Sequence, residues 1–284
     1  MFVEFDLAGA EWVVVAYLAD DPNMLAVVES MKTGRSPHVA TGSLISRAPE
    51  NLVELEHKAV GSATDPDTIK DLRKAVPGLL DGDFFLPRSM SIRQCGKKAN
   101  HGLNYDMRYK KFALINEMPE PDAARIVDLY HTQAYPGIRA NFHGGIKREL
   151  KHNDRTLENL LGRKARLLDQ PGPDLWDKAY SFKPQSTVAD IVLRAMSLAY
   201  GDATELMQPM RLKANVHDSI LCWYPDEPRE QLFDFARRMR AYLSPELTCG
   251  DRQFTLGVDV KAGPSWGHMA PLDLGKEVFE QRGS

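Results

Sequence analysis

What constrains this chain most is where its strand-forming stretches lie. One apolar run, "FVEF" at 2–5, opens the chain, and the other strand candidates, 210–217, 219–224 and 253–261, stand near its far end. The residues between carry mostly the apolar period of helices, expected at 9–19, in two pieces over 23–45, through 89–105, and at 120–134, 137–150, 155–161 and 186–200. A further helix, 227–243, falls among the late strands. The first helix stops at "DDPN", where Asp and Pro end it. A lone strand at one terminus and a strand cluster near the other make one sheet only if distant parts of the chain meet. That is an α+β architecture with a long helical insertion. The segment 46–88 stands apart. It is polar, carries Pro49, Pro66, Pro77 and Pro87, and has helix-like pieces near 50–58 and 66–75, so it reads as an inserted subdomain or a long loop.

At 284 residues the chain can bury a sizeable core as one large domain or two. A net charge of -3 excludes a uniformly basic, histone-like DNA binder and leaves room for a local basic groove. Cys95, Cys222 and Cys249 form no CxxC pair, which gives no zinc site and suits a reducing compartment. No apolar run reaches the length of a membrane span, and "MFVEFDLAGAEW" has neither a basic n-region nor a cleavage signal. The expectation is a soluble, cytoplasmic protein with no membrane partner.

Two acids stand where acids are out of place. In "KANVHDSILCWYP" (213–225), His217 and Asp218 interrupt two apolar runs. Asp disfavours strand interiors and favours turns, so the simplest reading is a surface hairpin. Asp6 ends the apolar strand "FVEF". Two acids at strand ends of one sheet can share divalent cations, and two-metal sites with ions roughly 3.5–4 Å apart stabilise both oxygens of an in-line phosphoryl displacement. Mg²⁺ suits such a pair because it takes few carboxylates and leaves positions for phosphate oxygens.

In "SIRQCGKKANHGLNYD", Arg93, Lys97, His101 and Tyr105 recur every four residues. Four residues are slightly more than one helical turn, so all four are expected along one face. Two cations followed by two rings match a nucleoside triphosphate laid lengthwise, the cations on the phosphates and the rings on the sugar and base. A solvated basic stripe is the plainer alternative.

Together these stretches resemble family A DNA polymerases. "DLAGAE" (6–11), "RQCGKKANHGLNYD" (93–106) and "VHDS" (216–219) look like that family's motifs A, B and C. "SPHVATG" (36–42), "YHTQAYPGIR" (130–139), "LENLLGRKARL" (157–167), "KPQSTVADIVLRAM" (183–196) and "LGVDVKAGPSWG" (256–267) resemble lesser marks in the expected order. The resemblance covers most of the chain apart from 46–88. It implies an antiparallel palm sheet with an inserted, mainly helical fingers subdomain: palm over 1–30 and 176–284, fingers over 31–175, with the motif B helix at about 89–106. It implies template-directed transfer of a nucleotide from a dNTP to a primer 3′-OH. Asp6 and Asp218 would hold two Mg²⁺ ions (Mn²⁺ would also serve), with the Leu7 carbonyl as a further ligand. Arg93, Lys97 and His38 would grip the triphosphate, Lys97 also as proton donor to the pyrophosphate. His101 would pack against the sugar, Tyr105 would stack at the templating position, and Glu11 would exclude a ribose 2′-OH. Gln185 would contact DNA in the minor groove, and His217 would lie near the primer end.

The sequence also departs from the pattern. Ala8-Gly9 replaces a Ser-Gln pair, His101 an aromatic residue, Asp106 a glycine and Ser219 a glutamate. His-Asp-Ser is a habit of single-subunit RNA polymerases, which makes that chemistry the alternative; a non-catalytic DNA-binding remnant is the other. The family's thumb, primer-binding palm segment and exonuclease precede motif A, and here Asp6 is the sixth residue. The expectation is a split enzyme whose partner chain supplies them, beside primer–template DNA and dNTPs, with a shortened piece of a longer chain or a relic as the alternatives. It includes a strand 2–7 left as a sheet edge for that partner. His57, His131, His143, His152 and His268 lack ligand spacing and read as surface or packing groups; Trp12, Val13 and Val15 read as core.

Overall fold

The structure, a computed structural model, describes residues 1–275 and 278–279. The chain opens with β1 (Phe2–Leu7), followed by α1 (Ala10–Ala19), α2 (Pro22–Met31), α3 (Pro37–Ser46), α4 (Glu50–Val60), α5 (Pro66–Arg73), α6 (Ile92–Leu103), α7 (Tyr109–Ile115) and α8 (Glu120–Leu129). Two π-helical turns, Tyr130–Ala134 and Ile138–His143, lead into α9 (Gly144–His152). Short strands β2 (Thr156–Glu158) and β3 (Lys164–Arg166) precede the long α10 (Pro173–Gly201). The chain continues through β4 (Arg211–Val216), β5 (Ser219–Trp223), α11 (Arg229–Leu243), β6 (Leu247–Cys249), β7 (Arg252–Phe254), β8 (Val258–Ser265), β9 (His268–Asp273) and β10 (Val278–Phe279). It divides into two compact units, 1–11 with 158–164 and 183–284, and 12–157 with 165–182.

The first unit holds an antiparallel sheet in the order β10-β9-β8-β1-β5-β4. The first strand therefore pairs with late ones, as the placement of apolar runs demands. Strand periodicity puts Val3, Phe5 and Leu7 on one face, each fully buried. Their register partners Ile220, Cys222, Val258, Val260 and Ala262 are buried with them. α11 covers this face: Phe235 meets Phe5 edge-on at 5.8 Å and stacks on Tyr224 at 4.1 Å. The other face carries Glu4, Asp6, Ser219, Asp259 and Lys261. β1 lies inside the sheet, paired on both sides. The expected edge at 2–7 is thus corrected, because β8 pairs along the side expected to face a partner; among the described strands β4 lies at one end of the sheet.

The expected helix at 155–161 is also corrected. Its start is β2, and its remainder is a turn built on Asn159. The Asn159 Oδ1 accepts from the N–H groups of Leu161 (3.0 Å) and Arg163 (2.9 Å), while its Nδ2 donates to Ser186 and Asp190 on α10. A buried Asn side chain that satisfies two main-chain donors competes with helical bonding and wins.

The second unit is helical. Asp21 caps α2 by accepting from Asn23 and Met24, each at 3.0 Å, with Pro22 at the first helical position. Its other oxygen accepts from Gly137 N–H at 2.8 Å, tying the start of α2 to the approach of the second π turn. The segment 46–88 folds as α4 and α5 on a small core of Val39, Ala48, Val53, Val76, Leu79 and Ile92. Trp12, Val13 and Val15 are buried as read from the sequence.

Candidate active site

In the first unit, β4 and β5 pair up to Val216 and Ser219, so His217 and Asp218 form a two-residue turn. His217 takes a left-handed φ of 55°, a region that His visits more readily than most side chains. Ser219 closes the turn: its hydroxyl donates to Val216 O at 3.0 Å, and its carbonyl accepts from Asn215 Nδ2 at 3.0 Å. Ser219 thus holds the hairpin where the resemblance expects a third acid. The tip is fastened to β1 by main chain, Leu7 N–H donating to Asp218 O at 3.2 Å. Asp6 lies opposite Ser219 on one side and Asp259 on the other. Burial pushes the Asp6 carboxyl above its ordinary value; the nearby Asp218 charge adds to this, with Glu4 and Asp259, against the opposing pull of Lys261. A strand-end acid crowded by a second acid is what a divalent cation relieves. Among the described residues no cage of three or more His, Cys, Asp or Glu forms. The pair fits Mg²⁺ nonetheless, since that ion is held through one or two carboxylates and keeps water or phosphate oxygens as its other ligands.

β1 passes to α1 through Ala8, whose N–H donates to Gly257 O at 2.9 Å, and Gly9 at φ 58°. Glycine tolerates that left-handed turn, which sets Glu11 in the first turn of α1. Gln185 is exposed on α10, next to Pro184 inside the helix and Ser186, which the Asn159 turn grips. Asp259 and Lys261 were not singled out in the sequence; their signal was the alternation of "VDVKA".

In the second unit, α6 starts on Ser91, whose hydroxyl accepts from Gln94 N–H. Ile92, Cys95, Gly96, Ala99, Asn100 and Leu103 are buried, while Lys97 and His101 are exposed and Arg93 partly so. The stripe therefore exists over Arg93, Lys97 and His101, and no carboxylate among the described residues pairs with Arg93 or Lys97. Tyr105 is a correction: α6 ends at Leu103, and Tyr105 sits in the following turn, its N–H donating to Gly102 O. Asp106 there adopts the left-handed φ of 61° that the departure from glycine required.

His38 stands on α3, its ring 6.0 Å from that of His101. Burial, then the charges of Arg93, His101 and Lys97, push its pKa down to about 3, so the ring is neutral at pH 7. α3 and α6 cross through glycines: a Cβ on Gly96 would come within 2.3 Å of His38 O and 2.6 Å of Gly42 N. The start of α6 is braced by the 46–88 segment. Glu56 and Arg73 form a buried ion pair at 2.9 Å; Glu56 also accepts from Ile92 N–H, and Arg73 donates to Met90 O. His57 is bonded to Ser91, the cap of α6. This brace was not foreseen, since nothing in sequence spacing joins positions so far apart. His143 and His131 are buried packing groups as read, His143 stacked on Tyr180 at 4.1 Å. Among the described residues no helix is long and apolar enough to cross a membrane.

Comparison with known proteins agrees. The family model for DNA polymerase family A matches residues 88–268, from the approach to α6 through the Asp218 hairpin to β9. DNA polymerase I of Chloroflexus aurantiacus is 23% identical over 279 residues, 96% of this chain and 25% of the relative. The solved POL domain of Pol1 from M. smegmatis, in complex with DNA primer-template and dNTP, matches with a TM-score of 0.65 at 18% identity, covering 93% of this chain and 40% of that one. This chain thus spans about a quarter of its curated relative and under half of the solved one. With more than half of its length matched, the chain belongs to DNA polymerase family A.

Proposed function

We propose that this chain is the catalytic portion of a template-directed DNA polymerase that adds nucleotides from dNTPs to a primer 3′-OH. The observation that carries the reading is the acid pair: Asp6 and Asp218, fastened side by side by the Leu7–Asp218 main-chain bond, with Asp6 held above its ordinary pKa. The sheet unit serves as palm and the helical unit as fingers. Asp6, Asp218 and the Leu7 carbonyl would hold two Mg²⁺ ions, which when bound neutralise charge on the attacking and leaving oxygens.

The protein's own side chains position the reactants. Arg93, partly exposed, and Lys97, exposed, are cations that no carboxylate among the described residues pairs with, and they bind the triphosphate. Lys97 is the proton donor to the departing pyrophosphate. His38 adds a hydrogen bond, His101 packs on the sugar, and Tyr105, in its turn beyond α6, stacks at the templating position. Glu11, early in α1, limits room for a 2′-OH. Gln185 contacts the duplex, and His217, next to Asp218, lies by the primer end.

The test is primer extension with Mg²⁺ and each class of nucleotide. Wild type is expected to extend with dNTPs, and Asp218→Asn is expected to fold without extending. Equal use of ribonucleotides and deoxyribonucleotides by wild type would move the assignment to the RNA polymerase alternative. Undiminished extension by Asp218→Asn would remove the two-metal assignment.

A further inference from the structure

One buried side chain of α6 takes no part in the exposed stripe and yet reaches α3, the helix that carries His38. Asn100 is 1% exposed. Its Nδ2 lies 3.2 Å from Pro37 O and 3.2 Å from His38 Nδ1. Its Oδ1 accepts from Thr41 Oγ1 at 2.9 Å and lies 3.1 Å from Tyr130 Oη. Thr41 in turn meets Tyr135 Oη at 2.8 Å.

The orientation of the amide follows from what each neighbour can do. A backbone carbonyl only accepts, so the nitrogen of Asn100 must face Pro37 O. The oxygen then faces the hydroxyls of Thr41 and Tyr130, which can donate. The amide nitrogen has a second hydrogen, and the atom waiting for it is His38 Nδ1. An imidazole nitrogen that accepts a hydrogen bond carries no proton, and a neutral ring places its one proton on the other nitrogen.

We propose that Asn100 is a positioning residue that fixes His38 as the neutral Nε2–H tautomer, so that His38 meets the nucleotide's phosphates as an uncharged hydrogen-bond donor rather than as a third cation. The phosphate half of this rests on the proposed function; the tautomer half does not. The charges facing His38 agree with it. Arg93, Lys97 and His101 all stand on α6 beside the ring, and each opposes a proton on Nδ1. A neutral donor also needs no proton uptake, so its contribution to dNTP binding stays constant across the pH range in which a free histidine titrates.

The experiment is ¹⁵N NMR of histidine-labelled intact chain, with the His38 signals identified by their loss in His38→Phe. Wild type is expected to show a pyridine-type Nδ1 and a pyrrole-type Nε2, with no titration between about pH 5 and 8. Asn100→Asp replaces the donating amide with an acceptor, so Nδ1 should gain a proton and the His38 signals should move in that window. An Nδ1–H tautomer or an imidazolium in wild type at neutral pH overturns the proposal, as does an Asn100→Asp spectrum in which folded protein keeps the wild-type His38 signals. If Asn100→Asp does not fold, the wild-type spectrum decides alone. The phosphate half is read separately in primer extension. His38→Phe is expected to raise KM for dNTP about tenfold with a smaller change in kcat, the size of one hydrogen bond to a charged group. An unchanged KM with the Nε2–H spectrum intact overturns the phosphate role and leaves the tautomer assignment standing.

Discussion

In the sheet unit, Asp6 and Asp218 are placed by main chain. The register of β1 against β5 and β8 and the Leu7–Asp218 bond set both acids, whatever the side chains around them do. In the helical unit, His38 and α6 are placed by side chains: a buried Asn–Thr–Tyr network, a glycine crossing, and the Glu56–Arg73 brace. The first arrangement is expected to tolerate substitution of its acids without loss of fold, since among the described residues no hydrogen bond or ion pair runs through their carboxylates. The second makes the functional groups and the structure the same groups. Mutations should therefore separate activity from stability in the sheet unit and join them in the helical one.

The largest effect expected is on Asp6→Asn. Loss of one metal-binding carboxylate removes several kcal/mol of charge stabilisation, and about 4 kcal/mol is roughly a thousandfold in rate. The same substitution should stabilise the fold at pH 7. The Asp6 pKa is raised in the folded state, so its protonated form is the one the fold prefers, and that contribution is lost as pH rises through the folded value. Asparagine mimics the protonated form. Thermal melts should show a higher Tm than wild type at pH 7, with the gap closing below the ordinary carboxylate range. A lower Tm at pH 7 would mean that Asp6 has a structural partner and that the comparison is wrong.

The sequence made the sheet unit legible because strand alternation and the cost of acids in strands are local signals. "FVEFD" and "VHDS" each announce an acid at a strand end, but that β1 and β5 pair and bring the two stretches together is a property of the sheet register and not of either stretch. β1 is not the edge that the sequence suggests, because "LGVDVKAG" pairs along residues 2–7, a contact more than 250 residues apart that no local pattern announces. The sequence pattern failed at 155–161 because Asn159 satisfies main-chain donors through contacts with α10 that no helical period predicts. In the helical unit the stripe was visible as periodicity, but its supports were not. Glu56, Arg73 and Asn100 act through partners distant in sequence, and Tyr105 falls outside α6 because the helix ends at Leu103.

The brace offers the next largest effect. Arg73→Met leaves the Glu56 carboxylate buried without its cation, and breaking a buried pair from one side typically costs about 3–5 kcal/mol. Urea titration should show that loss. Glu56→Leu combined with Arg73→Met should recover part of it, since both charges are then gone. A small effect of Arg73→Met alone would detach the 46–88 segment from the stability of α6. Gly96→Ala should cost less, about 1–3 kcal/mol as overpacking, because the added Cβ falls 2.3 Å from His38 O and the helices must part. Here KM for dNTP should rise together with the loss of stability, unlike at Asp6.

The smallest effect at pH 8, one that grows in acid, tests whether burial keeps histidines of the helical unit neutral. His131 is 4% exposed, and among the described residues neither ring nitrogen has a hydrogen-bond partner. Burial, then the charges of Arg139 and His143, push its pKa down to about 3. The unfolded chain takes up a proton at this position below its ordinary value of 6.5, whereas the folded chain does not until about 3. The unfolded state therefore binds more protons throughout that window, and stability falls as pH falls, by about 1.4 kcal/mol per pH unit once the window is entered. His131→Phe removes the titrating group and keeps a ring in the packing against Tyr130. At pH 8 the variant should be more stable by about 1 kcal/mol, the cost of a buried polar group without a partner. Below pH 6.5 the gap should widen, because wild type alone carries the acid penalty of this ring; His38 keeps its own penalty in both proteins. Denaturant titrations at pH 8 and pH 5 measure it. A gap of equal size at both pH values would mean that His131 is protonated alike in the folded and unfolded chains, and that burial in the helical unit does not hold its histidines neutral.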